Sequence, residues 1–160
     1  VLAPTASLHR SKRAKSADIR KPNQYNQLLV MTMDRERFES LVWQAMESLP
    51  ATLKKYLKNV LVVIEEVPSP ALQAEFGDDM VFGLYQGTPL TERSVWNVEP
   101  QPDIVYIFQK NIESVCESED EIYDEIRTTV IHEIGHYFGL NEEQLDVLEK
   151  DQDETEARQA

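Results

Sequence analysis

The sequence predicts a single α+β domain: a small mixed or antiparallel sheet of about three to four strands packed on helices. Three observations predict it. An amphipathic stretch opens the patterned part of the chain, a continuous β-branched run follows, and helical spacing returns near the end. Helices and strands are grouped along the chain rather than alternating, which favours α+β over a doubly wound fold.

The first helix is expected from an N-cap at Asp34 to Leu49, because Phe38, Leu41, Val42, Ala45, Met46 and Leu49 recur at three- and four-residue spacing. Pro50 stops it or starts a short second turn carrying Leu53, Tyr56 and Leu57. Val60 to Ile64 is β-branched and continuous, as a buried strand is. Val67-Pro68-Ser69-Pro70 breaks it, Met80 to Tyr85 forms a second strand, Gly87-Thr88-Pro89 a turn, and Asp103 to Phe108 a third strand. From Glu119, Ile122, Ile126, Val130, Ile134 and Phe138 step by four to make one apolar stripe. Gly139 ends that helix, and Asn141 caps a last one, with Gln144 in capping-box position and Leu145 and Leu148 as its apolar contacts. Residues 1–27 are polar and aperiodic and are expected to be a disordered basic arm; 28–150 form the domain, and 151–160 an acidic tail.

The chain has 160 residues, 16 Lys+Arg, 29 Asp+Glu and one cysteine, for a net charge of −13. Cys116 alone excludes an internal disulfide and a cysteine-rich metal cluster, and fits a cytoplasmic compartment. The charge is polarised. Residues 1–21 carry six bases against Asp18, whereas 113–160 carry sixteen acids and three bases. So acidic a body repels phosphates, and no nucleic-acid partner is expected. No apolar run reaches the roughly 18 residues of a membrane helix, so no membrane partner is expected either.

The chemistry lies in His132-Glu133-Ile134-Gly135-His136. Two histidines at i and i+4 share one helix face, so both imidazoles can reach a single ion, while Glu133 on the adjacent flank can act on a metal-bound water. At about 100° per residue the histidines lie roughly opposite the core-facing direction set by Val130 and Ile134, so they are not expected to be held by core packing. Glu125 and Thr128 fall on the histidine face as well. Gly135 costs the helix about 1 kcal/mol relative to alanine, which implies a close packing partner there. A catalytic zinc needs a third protein ligand. Glu142 is the candidate, with Glu143 and Asp146 as alternatives; the acids beside Asn141 also suit a helix N-terminus without any metal.

The segment His132-Glu133-Ile134-Gly135-His136-Tyr137-Phe138-Gly139-Leu140-Asn141-Glu142 resembles the zincin metallopeptidases, and most closely their small single-domain bacterial members. The similarity runs over about residues 34–150 and includes Phe82 to Leu90. It departs from the metzincin branch in having no third histidine and no methionine after the motif. The resemblance implies a zincin-like domain whose active-site helix carries HExxH, with Zn2+ held by His132, His136 and Glu142. It further implies a zinc hydrolase acting on a peptide or protein substrate, in which Glu133 is the general base toward a metal-bound water. Peptide bound antiparallel to a sheet edge is implied too, at either Asp103–Phe108 or Met80–Tyr85. Tyr85, Tyr106 and Arg93 are possible cleft residues, though packing or surface roles suit each better.

Two other classes compete. One is a non-catalytic binding module that keeps the zincin scaffold with a structural metal; the other is an acidic interaction protein whose helix carries the motif by chance. Nucleotide loops and serine nucleophile elbows are missing from the sequence, and Cys116 sits in acidic surroundings that disfavour a thiolate.

Overall fold

The structure is a computed structural model, and it describes residues 6–7, 32–93, 102–141 and 143–145. Its elements in order are β1 (Ala6–Ser7), α1 (Arg35–Ser48), α2 (Ala51–Lys54), β2 (Val60–Glu65), α3 (Pro70–Phe76), β3 (Gly83–Gln86), β4 (Asp103–Phe108), α4 (Gln109–Glu113) and α5 (Glu119–Tyr137). The α+β class is as expected. Most of the arm and all of the acidic tail lie outside the described residues.

The four strands lie in the order β1-β3-β4-β2. β2 runs parallel to β4, β3 antiparallel to β4, and β1 antiparallel to β3, so the sheet is mixed. β3 and β4 are therefore the inner strands and β1 and β2 the outer ones, and β3, near the expected Met80–Tyr85, is paired on its far side only through the two residues of β1.

Asp34 caps α1 by accepting from the Arg37 amide at 3.0 Å, and α1 buries Phe38, Leu41, Val42 and Ala45. These meet Ile122, Ile126, Val130 and Ile134 of α5, together with Val105 and Ile107 from the sheet, in one core. Each such side chain contributes about 1.5–3 kcal/mol when fully buried. Gln109 and Glu113 of α4 fasten the entry to α1: the Met33 amide donates to Glu113 Oε1 at 2.9 Å, and Gln109 Nε2 donates to the Met33 carbonyl at 2.9 Å.

Two helices depart from expectation. The Val67–Pro70 breaker also starts α3, because Ser69 caps it and Pro70 occupies its first turn, where a missing amide costs nothing. The short α4 follows β4 without a break, hidden from periodicity by its length. α3 covers the sheet face opposite α5, where Val81, Leu84 and Phe108 form a second, smaller core. A groove of about 370 Å³ opens there, lined in part by Leu72, Leu84, Tyr106 and Phe108.

Candidate functional site

The site is built on the C-terminal half of α5. Ser118 caps the helix, and Glu119, Asp120 and Glu121 in its first turn oppose the positive end of the dipole. At the other end Gly139, with φ of 82°, takes the left-handed conformation that closes the helix: its amide donates to the His136 carbonyl and that of Leu140 to the Gly135 carbonyl. Asn141 and Gln144 then exchange the two bonds of a capping box, at 2.9 and 3.0 Å.

On the last turns, the rings of His132 and His136 stand 4.8 Å apart between centroids. Both are buried, at 2% and 4% exposure, and Glu133 beside them is at 0%. Two close approaches enclose this part of the helix at Glu133 and Gly135. Gly83 of β3 lies against α5 so closely that an added Cβ would meet Thr129 Cγ2 at 2.5 Å and Glu133 Cγ at 3.1 Å. Gly135 faces Leu145, which would collide with any side chain there. The packing partner implied by that helical glycine is therefore Leu145. The expectation that the histidines escape core packing is corrected: their face is opposite the apolar stripe, yet both are buried. Burial first, and the neighbouring His132 second, push the His136 imidazole down to about 4, so it is neutral near pH 7.

Beside this trio is a second buried polar group. Asp103, at 1% exposure, accepts from the Tyr85 hydroxyl at 2.6 Å and pairs with the Arg93 guanidinium. Arg93 also stacks over the Tyr137 ring at 5.3 Å and donates to the Thr88 carbonyl. Burial, and then the Asp103 carboxylate, raise the Tyr85 hydroxyl well above the ordinary tyrosine range. Tyr85 and Arg93 are thus fastenings between strand, turn and helix, and Tyr106 faces the opposite side of the sheet, as the packing assignment expects. Sequence reasoning missed Asp103 and Gly83. Both left a signal: Asp103 shares strand parity with Val105 and Ile107, and Gly83 interrupts a strand pattern where a backbone must approach closely.

The zinc expectation fails on the donor set. Among the described residues no group of three His, Cys, Asp or Glu is placed to hold a metal ion. His132 and His136 come together, Glu143 is exposed, and Glu142 and Asp146 lie outside the described residues. A zinc that catalyses needs three protein donors with a vacant position for water, and two imidazoles do not hold one in that way. The expected zinc hydrolase with a Zn2+ cofactor, its metal-binding HExxH and its Glu133-driven peptide hydrolysis is corrected accordingly. The structural metal of the alternative reading is corrected with it.

No helix among the described residues is long and apolar enough to cross a membrane. In comparison with known families, a model described as a zincin-like metallopeptidase matches residues 57–152, more than half of the chain, from the turn before β2 through the end of α5 and beyond. No curated protein matches the chain.

Proposed function

The chain belongs to the zincin-like metallopeptidase family, and on that premise we propose that it is a peptide-binding module, taking an extended peptide as an added antiparallel strand on the outer edge of β3. The observation that carries this reading is the position of β3. It is flanked by β4 on one side and, over Tyr85 and Gln86 alone, by the two-residue β1 on the other, and through Gly83 it packs on α5 at Thr129 and Glu133. A strand side with so short a partner offers its amides and carbonyls at a fixed spacing to a chain that takes that partner's place, and this gives affinity to any chain that aligns with them.

In this reading His132, Glu133 and His136 are positioning residues. They form a buried polar layer on α5, and Gly83 lets β3 settle against it at Glu133. The Asp103–Arg93–Tyr85 group holds the other end of β3 to β4 and the following turn. Binding without hydrolysis is supported by the donor set, since among the described residues no three His, Cys, Asp or Glu are placed to hold a metal ion.

The test is fluorescence anisotropy of a panel of extended peptides against the full chain in excess chelator, with mass spectrometry of each peptide afterwards. Saturable binding of peptides recovered intact is expected. Failure to bind any of them, or cleavage that the chelator suppresses, would contradict the proposal.

A further inference from the structure

The outer edge of β3 is already partly occupied. Ala6 stands opposite Gln86 and Ser7 opposite Tyr85, in antiparallel register. This is the polarity and the edge assigned above to an incoming peptide, and the segment that takes it belongs to the chain itself. We propose that Ala6–Ser7 is an intramolecular competitor for the β3 edge, so that an external peptide gains the full edge only by displacing it. The inference rests on the peptide-binding reading and adds the occupant that regulates it.

Three features of the sequence suit this role. The contact is short, two residues against a strand of four, so it is the kind of pairing that opens readily. Ala6 and Ser7 are followed within six residues by Arg10, Lys12 and Arg13, whereas residues 113–160 carry sixteen acids and three bases. Opposite charges bring the segment back toward the body, more strongly at low salt. Finally, 26 residues separate Ser7 from Asp34, the cap of α1. The pairing is intramolecular, so it competes with an external peptide without the cost of bringing two molecules together.

The same register describes the partner. A competing chain runs antiparallel to β3 and places small residues opposite Tyr85 and Gln86, with basic residues following. A short basic peptide with that pattern is the expected class of ligand.

The experiment compares the full chain with its Ala6→Pro/Ser7→Pro double variant. Proline removes both amide donors and resists the strand conformation, while the folded body retains every residue. The probe is a fluorescein-labelled synthetic peptide copying residues 1–12. The double variant should bind it about fivefold to tenfold more tightly than the wild-type chain; a tenfold gain corresponds to an edge closed in about nine molecules of ten. Hydrogen exchange over residues 83–86 should be faster in the variant without probe. Equal affinities with equal exchange would overturn the competitor while leaving edge binding in place. Failure of both proteins to bind the probe and every peptide of the panel would overturn the binding reading as well.

Discussion

In the first half of α5, buried Ile122 and Ile126 are interleaved with exposed Asp120, Glu121 and Asp124. In the second half, from Thr129 to Tyr137, every residue except the half-buried Ile131 is buried. The apolar stripe continues unchanged through both, so the difference arises from what lies on the other side. Asp120, Glu121 and Asp124 of the first half remain in water, and Glu125 is the one acid there that is buried. In the second half β3 and Leu145 close over the helix, each through a glycine that permits contact, Gly83 on the strand and Gly135 on the helix. One helix thus serves as a surface element and then as a central one, and the HExxH turn lies in the enclosed part.

The contrast is sharpest where a stripe residue and an acid stand two apart. Ile126→Ala should destabilise the chain by about 2–5 kcal/mol in urea denaturation, through lost burial and a cavity. Asp124→Ala should remain within about 0.5 kcal/mol, as surface changes do. Comparable losses at both would mean that the first half is enclosed as well.

The next effect lies at the fastening of the enclosed half. Asp103→Ala should cost about 2–3 kcal/mol, below the 3–5 of a fully buried pair because Arg93 retains 29% exposure. It should also weaken peptide binding by freeing the end of β3. A variant with wild-type stability would remove the fastening role.

Gly83→Ala tests the closure itself. The added methyl meets Thr129, Glu133 and the Tyr106 carbonyl, and an overpacking cost of about 1–2 kcal/mol is expected. Unchanged thermal stability would show that β3 does not rest on α5 as closely as described.

The smallest effect concerns pH in chelator-treated protein. The His136 imidazole is lowered from 6.5 to about 4 in the fold, so between those values the unfolded chain binds a proton that the folded chain does not. Stability should therefore fall as pH drops from 6.5 toward 4, with no further loss from this group below that. His136→Gln should flatten that part of the profile, and an unchanged slope would assign it to other groups.

How much of this was legible in the sequence follows from the same helix. Periodicity located α1, β2, β4 and α5 to within a residue or two, because their apolar positions repeat against a single core. The capping box at Asn141 and the glycine stop at Gly139 were legible because they are local chemistry. What lay beyond reach was tertiary cover. A helical wheel assigns His132 and His136 to the face away from the core, and nothing in the wheel announces that both are buried or that Gly83, some fifty residues earlier, brings a strand against Glu133 beside them. The metal expectation is overturned on the donor set: spacing brings two imidazoles to one face, and among the described residues no third donor joins them. The pairing of Ala6–Ser7 with β3 has no periodic signature at all.

The central claim is that the edge of β3 takes an added strand above an enclosed, non-hydrolytic turn of α5. Hydrogen exchange of the Ala6→Pro/Ser7→Pro chain in chelator, with and without saturating peptide, tests it most directly. New protection confined to residues 83–86, with the peptide recovered whole, is the expected result. Protection appearing instead around Glu65, Ser69 and Leu72 on the opposite face, or a peptide recovered in fragments, would contradict it.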